Sequence, residues 1–446
     1  MSSKTYFISI AIAGSIMTGV FAGRVSAQDS TKSLSLNEAI SAALNNSHAM
    51  QLAKLDENIA ASNYKTTEAV FLPQVGVSYT AMGTNDPLNA FGFKLQQRAI
   101  SANDFNPQLL NYPNGTADFN AKLEVQQPIL NMDMLYLRKG AEKQTEVYQY
   151  KTQRTKEYLI FEVQKAYLQL QLAYDAVGVL NEAAKTAKSV YEFTDNHYKQ
   201  GLIQKSDLLN AQVQVTTVQS NQEKAQSNIR NASDYLSVLM GQQAGVTYRI
   251  DAPQDIAPSA DTTQKIAPGR ADFMAMQKAI EASDLMIKSS RMSCLPKLNA
   301  FGNFQYNDKS LTGFGANAYF AGVQLSWDVF KGNKTKNTIA TQKLERDKLS
   351  EQLAQQKDQG QLELNKAYRD LSDADFEIQQ DKTAVAQAAE ALRILQNRYQ
   401  QGLVNTTDIL MAQTQLSQQK FALAQARFSL NLSRAYIQLL TSSTTK

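Results

Sequence analysis

The sequence has few of the residues that cross-link chains, bind metals or carry out catalysis. Its single cysteine, Cys294, cannot form a disulfide within the chain. Its two histidines, His48 and His197, lie on different segments without a cysteine or carboxylate at ligand spacing. Phosphate loops, dinucleotide fingerprints and nucleophile elbows are also missing. We therefore predict a protein that is not an enzyme and has neither a cofactor nor a metal site.

Strong charge and long apolar runs are missing as well. The formal net charge is only +4 over 446 residues, so we expect no nucleic-acid partner. Beyond the first 27 residues, no apolar run approaches the roughly 20 residues that a membrane-spanning helix needs. If the protein enters a membrane, another kind of element must place it there.

Proline is confined to a few places. All nine prolines lie outside two tracts, 129–252 and 297–446, which are rich in glutamine, alanine, leucine, lysine and glutamate. Because proline breaks helix interiors, these tracts are where long helices can form. We predict helices over about 132–199 and 333–400, each on the order of 100 Å long at 1.5 Å per residue.

The chain begins with the pattern of a secretory signal peptide over residues 1–27. Lys4 precedes an apolar run that starts at Tyr6, and the small-residue exit is Val25-Ser26-Ala27. The alternative is an anchoring N-terminal helix. We predict that the mature chain is exported and that packing or oligomerisation stabilises it.

One stretch occurs twice at a constant offset of 201 residues (399 − 198). From Tyr198 the sequence reads YKQGLIQKSDLLNAQVQV, and from Tyr399 it reads YQQGLVNTTDILMAQTQL. In each copy a glycine, Gly201 or Gly402, can take the left-handed conformation that ends a helix. The residues expected to cap the next helix are Ser206, Thr406 and Thr407. Two unrelated hairpins are the alternative, but the flanking sequences repeat too, which indicates an internal duplication.

The helix after each glycine carries a seven-residue repeat. Large residues recur at Leu208, Val215, Gln222, Ile229 and Leu236, and again at Ile409, Leu416, Leu423, Leu430 and Ile437. Small residues mostly follow three positions later. This pattern favours antiparallel, coiled-coil-like packing on two narrow seams, although an ordinary amphipathic hairpin has a similar pattern.

Four segments alternate between apolar and polar residues with a period of two. They predict strands at 74–82, 118–127, 298–307 and 318–327. Their length and dyad repeat are typical of transmembrane β-strands, while soluble hairpins are the alternative. Four strands cannot close a barrel, but three copies supply twelve. The connecting loops, about 82–118 and 307–317, are expected on the outer side.

Together these features divide the chain. We predict a first repeat at 28–240, a linker at 241–268 with a short strand near 246–250, a second repeat at 269–441 and a tail at 442–446. Each repeat starts with a helix, over 34–70 and 270–291, that leads to a Leu-Pro pair.

This order of elements resembles the TolC family of outer-membrane factors. The motifs that carry the resemblance are LSLNEAISAAL at 34–44, FLPQVGVSY at 71–79, QQPIL at 126–130, SWDVFKGN at 326–333 and the two YxxGL turns. The resemblance implies a homotrimer located in the outer membrane, in contact with its lipid, and extending into the periplasm. Its fold would be α+β, with a twelve-stranded β-barrel continued by a periplasmic α-helical barrel.

The resemblance also implies a function and partners. The protein would be the passive exit duct of a tripartite efflux pump or type I secretion system. It would dock on a periplasmic adaptor (membrane fusion) protein and an inner-membrane pump. The alternative is an exported structural or adaptor coiled-coil protein without a pore.

In this family the YxxGL turns form the periplasmic tip, where the tube narrows to a gate. By motif position, Asp408 matches an acidic residue that rings the entrance, and Asp207 matches the partner of the tyrosine at Tyr399. The turn residues expected at the tip and adaptor contact are Gly201, Leu202, Gly402 and Leu403. Three copies of Asp408 around an axis would favour cations, whereas Asp207 alone could be a carboxylate favoured by a helix dipole.

Two positions depart from a well-studied member of the family. Val404 stands where that member has an arginine, and Met411 stands where it has a second acidic ring residue. The resemblance therefore does not carry the arginine link or the second acidic ring over to this chain.

Overall fold

The computed structural model describes residues 31–250, 255–257 and 264–443. The predicted signal peptide lies outside these ranges, as do parts of the linker and tail. In chain order the elements are β1 (Thr31–Ser33), α1 (Leu36–Asn46), α2 (His48–Thr66), β2 (Gln74–Thr84), α3 (Pro87–Gln96), α4 (Pro107–Asn111), β3 (Thr116–Leu130), α5 (Met132–Lys199), α6 (Lys205–Leu239), β4 (Thr247–Arg249), α7 (Ala271–Met292), β5 (Lys297–Asp308), β6 (Ala316–Ser326), α8 (Lys334–Gln400) and α9 (Thr406–Thr441).

The helices α5 and α8 dominate the molecule. They contain 68 and 67 residues, so each helix is on the order of 100 Å long. Antiparallel returns, α6 and α9, pack along α5 and α8 respectively, and α9 also packs on α5. The predicted class of long paired helices with a four-stranded sheet is confirmed. Within the described residues, no helix has a stretch both long and apolar enough to cross a bilayer.

The heptad positions of α6 pack as predicted, with Ile229 and Leu236 buried as well as small residues that follow three positions after a heptad residue. The small residues Ala211 and Ala225 are buried, whereas the large residues Leu208 and Val215 are only half-buried near the turn. Small side chains let the axis of α6 approach α5 closely, so they lie at the contact between the two helices.

Four strands form one antiparallel sheet in the order β2-β3-β5-β6. Its register aligns Val77 with Leu123, Phe304 and Tyr319 across the sheet. The next row across the sheet aligns the polar residues Ser78, Lys122 and Gln305. Because side chains alternate along a strand, one face of the sheet is apolar and the other is mainly polar.

A separate two-stranded sheet joins the start of the chain to the linker. Strand β1 pairs with β4 in parallel, and the Tyr174 hydroxyl donates to the Tyr248 carbonyl over 2.7 Å. The large core beneath this sheet includes Tyr167, Leu170 and Leu236. The boundaries of the two repeats and the linker stay predictions.

Two sequence predictions were wrong in detail. The helix expected over 34–70 breaks at Ser47, because the Ser47 hydroxyl accepts a hydrogen bond from the Met50 amide (3.2 Å) and caps a new helix. The segment 82–118, expected to be a loop, contains α3 and α4. Each of these helices starts at an Asp-Pro or Asn-Pro pair that supplies a side-chain cap and a proline at the first position.

Candidate functional site

The two YxxGL turns have the same backbone geometry. Gly201 and Gly402 have φ angles of +72° and +73°. In both turns the amide of the leucine that follows donates over 2.9 Å to the carbonyl five residues earlier. This is the Schellman ending of a helix, which needs a left-handed residue at the glycine position. The left-handed, helix-ending conformation predicted for the two glycines is confirmed.

The leucine after each glycine points away from the protein. Leu202 and Leu403 are both largely exposed at the end of their hairpins. A Cβ atom at either Gly201 or Gly402 would meet open space. The turns therefore present a small apolar surface at the far end of the long helices.

The caps of the helices after the turns differ from the prediction. The N-cap residues are Gln204 and Asn405, because α6 begins at Lys205 and α9 at Thr406, so that the predicted caps Ser206, Thr406 and Thr407 lie inside the helices. Asn405 and Asp408 form a capping box, in which the Asn405 amide donates to Asp408 Oδ2 over 3.2 Å. In the described chain Gln204 makes no such side-chain cap.

Tyr399 is buried and connects three helices through its hydroxyl group. Only 7% of the residue is exposed. Its oxygen lies 2.9 Å from Thr194 Oγ1 on α5 and 3.0 Å from Thr406 Oγ1 on α9. Thr194 already donates its proton to the Val190 carbonyl over 2.7 Å. Since a hydroxyl has one proton, Tyr399 must donate to Thr194 and accept from Thr406.

Apolar and aromatic side chains surround this hydroxyl chain. The Phe193 ring lies 4.6 Å from the Tyr399 ring and 4.0 Å from the His197 ring, measured between centroids. Val404 is half-buried and packs against the same cluster, whose buried members are Val190, Leu392, Tyr399, Ile409 and Leu416. Val404 therefore fills apolar space beside Tyr399, which agrees with the absence of an arginine at this position.

The two aspartates predicted at the gate have different surroundings. Asp408 is exposed, and its carboxylate is held in the capping box. Asp207 is half-buried in the first turn of α6, and its carboxylate has no hydrogen-bond or ion-pair partner within the described chain. The structure does not join Asp207 to Tyr399, because the Tyr399 hydroxyl binds the two threonines. Met411 is exposed on α9.

The sequence did not reveal Thr194 or Phe193. Both lie on α5, outside the repeated stretch, and they contact Tyr399 at the end of α8, beside the place where α9 packs on α5. The one sequence signal was local, since Val190 and Thr194 are four residues apart and so share a helix face. Within the described ranges, no cluster of three or more His, Cys, Asp or Glu residues could hold a metal ion.

Comparison with known proteins identifies the family. A model of the outer membrane efflux protein family matches residues 39–242 and 263–443. The chain belongs to this family. It is 22% identical over 351 residues to outer membrane protein TolC of Escherichia coli (strain K12), covering 71% of this chain and 70% of TolC.

Solved structures share the fold. The chain superposes on CusC with a TM-score of 0.77 and 15% identity, covering 92% of both chains. It superposes on VceC of Vibrio cholerae with a TM-score of 0.75 and 18% identity, covering 92% of this chain and 97% of VceC. Membership of the outer membrane efflux protein family, together with the similarity to TolC, confirms the predicted location in the outer membrane and the predicted role as an efflux duct.

Proposed function

We propose that three copies of this outer membrane efflux protein close a single passive duct. The observation that carries the proposal is the sheet β2-β3-β5-β6, which has an apolar face and two unpaired edges in one chain. Each backbone N–H or C=O group that has no hydrogen-bond partner in lipid destabilises the protein by several kcal/mol. Pairing β6 of one copy with β2 of the next removes every edge and gives twelve strands.

The two faces of the sheet fit this arrangement. The row of Val77, Leu123 and Phe304 would face lipid, and the row of Ser78, Lys122 and Gln305 would face a water-filled lumen. Below the barrel, the paired helices of three copies would form the wall of a periplasmic tube. Transport through such a tube needs no catalysis by this chain, so the energy would come from its partners.

The YxxGL turns are the proposed periplasmic tip. Their exposed leucines, Leu202 and Leu403, suit an apolar contact with a periplasmic adaptor, which in turn connects to an inner-membrane pump. Gly201 and Gly402 would shape this contact through their left-handed conformation. The tip lies at the opposite end of α5 and α8 from the sheet, as docking across the periplasm requires.

Tyr399, Asp207 and Asp408 are the proposed gate residues. Tyr399 holds α8 and α9 against α5, so the hairpin cannot swing outward without loss of the hydrogen bond to Thr194. The free carboxylate of Asp207 is available for a partner in a neighbouring copy. Asp408, repeated three times, would place negative charge around the entrance.

Single-channel recording in planar bilayers tests the proposal. The purified protein should insert and conduct ions, whereas an exported structural or adaptor coiled-coil without a pore cannot. Multivalent cations added on the tip side should block the current, and Asp408→Asn should weaken the block. This substitution keeps an acceptor for the Asn405 amide, so it removes charge without removing the cap. Glu390→Gln, an equal change of charge higher on α8, is the control and should leave the block intact.

A further inference from the structure

The helix α3 lies on the polar face of the sheet, at the end opposite the long helices. It follows β2 and contacts β3 and β6 at their outer ends. Beneath it lie Asp118 and Asn307, which are 0% and 2% exposed. Both side chains belong to the polar face, because their strand neighbours Phe119 and Tyr306 belong to the apolar one.

Hydrogen bonds anchor the helix in this position. Gln97 Nε2 donates to Asp118 Oδ1 over 2.9 Å and to the Ala117 carbonyl over 2.8 Å. Asn307 Nδ2 donates to Asp118 Oδ2 over 2.8 Å. Arg98 also donates to the Asn317 carbonyl on β6 over 3.0 Å. The buried Asp118 carboxylate therefore joins the end of α3 to two strands.

The loop around α3 is also held together internally. Lys94 forms an ion pair with Asp104 (2.7 Å), and the Phe91 and Phe105 rings meet edge to face with centroids 5.8 Å apart. Asp86 caps the first turn of α3. The segment is thus a small folded unit rather than a free loop.

The two faces of α3 differ sharply. Ala90 is buried and shares the sheet-facing side with Gln97, seven residues later. Leu88 and Leu95 are also seven residues apart, and they lie about 200° around the helix from that side at 3.6 residues per turn. They are 81% and 54% exposed. On a helix that covers the inner wall of a barrel, this exposed side faces the axis.

The diameter of a twelve-stranded barrel can be compared with the space that three copies of α3 occupy. Twelve strands about 4.8 Å apart and tilted by about 40° enclose a backbone diameter of roughly 24 Å. Three helices of about 10 Å diameter fill most of that opening. We propose that α3 forms an apolar constriction at the extracellular mouth, in which Leu88 and Leu95 select against bulky, strongly hydrated solutes. A ring of apolar side chains resists wetting, so charged solutes would be slowed more than amphiphilic ones. This inference rests on the proposed trimeric barrel.

Cysteine labelling from outside the cell tests the constriction without involving the periplasmic tip. The exposed native thiol is first removed by Cys294→Ser. Ser78→Cys then places a thiol on the polar face within the barrel, and Thr312→Cys places one on the exposed outer loop. Labelling rates with a sulfonated maleimide and with a maleimide carrying a long polyethylene glycol chain are compared on intact cells.

The expected result is slow labelling at Ser78→Cys and fast labelling at Thr312→Cys. Combined Leu88→Ala and Leu95→Ala should speed labelling at Ser78→Cys roughly tenfold, as removal of an apolar barrier predicts, and leave Thr312→Cys unchanged. Leu110→Ala, in α4 of the same loop, is the matched control and should change neither rate. Equal labelling rates at the two cysteines in the parent, or no effect of the two leucine substitutions, would overturn the constriction.

A further variant separates this inference from the proposed barrel. Removal of residues 87–111 should leave Ser78→Cys fully open to both reagents. If that thiol stays unreactive while Val77→Cys, on the other face, reacts, the assignment of the lumen face is wrong and the barrel proposal fails together with the constriction. If Ser78→Cys is open both with and without the segment, only the constriction is wrong.

Discussion

Tyr198 and Tyr399 occupy the same position in the two copies of the repeat but have different surroundings. Tyr399 is 7% exposed and its hydroxyl has two partners, whereas Tyr198 is 37% exposed and its hydroxyl has none within the described chain. The difference arises because α9 packs on α5 beside Tyr399. The same sequence pattern therefore gives one anchored and one open turn.

The Tyr399 hydroxyl should matter to closure, while the Tyr198 hydroxyl should not. Tyr399→Phe removes the donor to Thr194 and leaves the Thr406 hydroxyl without its acceptor, a loss of about 1 kcal/mol per hydrogen bond. We expect the closed channel to conduct more in planar bilayers. Tyr198→Phe is the matched control and should leave the current unchanged. Equal closed-channel currents for the parent protein, Tyr399→Phe and Tyr198→Phe would show that the Tyr399 hydroxyl does not contribute to closure.

Three glycines with similar backbone angles should respond very differently to alanine. Gly201, Gly402 and Gly241 have φ angles of +72°, +73° and +67°. A left-handed alanine costs about 1–2 kcal/mol, and at the two tip turns nothing else opposes it. At Gly241 the new Cβ would collide with the Asn46 carbonyl oxygen. Urea unfolding should therefore show a much larger loss of stability for Gly241→Ala, and equal losses at all three positions would contradict the packing described there.

At the scale of elements, the sheet register predicts which strand residues tolerate charge. Val77 lies on the apolar face and Ser78 on the polar face of β2. A lysine facing lipid at mid-membrane costs about 2–4 kcal/mol. Val77→Lys should lower the amount of protein assembled in the outer membrane, and Ser78→Lys should be tolerated. Membrane fractionation measures both, and the reverse order would show that the faces are exchanged.

A buried ion pair fixes the start of α7 beside α8. Arg270 is buried and donates to both oxygens of Asp272, from Nε over 2.7 Å and from Nη2 over 2.5 Å. Its guanidinium also lies 4.2 Å from the centre of the Phe273 ring. Burial alone would raise the pKa of Asp272, but the hydrogen bonds and charge of Arg270 hold that pKa below its usual value of 3.8.

This pair predicts a pH dependence of stability. Because the folded pKa of Asp272 is below the unfolded value, its contribution is complete above pH 3.8 and is lost as the pH falls through the folded pKa. Asp272→Asn should cost about 2 kcal/mol at neutral pH, the scale of a hydrogen bond to a charged group. The difference between the urea unfolding midpoints of the parent protein and Asp272→Asn should therefore become smaller as the pH is lowered. A difference that stays constant from neutral pH to pH 3 would contradict the argument.

The sequence predicted elements better than contacts. Long helices and strands followed from the absence of proline and from periods of seven and two, which are local signals. The glycine, asparagine and proline content of 82–118 predicts a loop, but Asp86-Pro87 within it is a helix start, which is why α3 forms there. The motif indicates Tyr399, whereas the contact with Thr194 joins residues of α5 and α8 that lie far apart in the sequence.

At the scale of the whole molecule, a single chain leaves sheet edges and apolar surfaces uncovered. The sheet has open edges at β2 and β6, and apolar residues such as Val77 and Tyr319 are exposed on it. On the long helices, apolar side chains including Val213 and Phe376 are also exposed. All of these surfaces would be covered by lipid or by neighbouring copies in a closed trimer, so one arrangement accounts for both sets.

The number of chains in the assembled protein tests this account most directly. Native mass spectrometry of the protein extracted from outer membranes in mild detergent measures it without assumptions about the pore. The account predicts a complex with the mass of three mature chains, because twelve strands need three sheets of four. A complex that contains one or two chains would leave strand edges open and would contradict the closed duct.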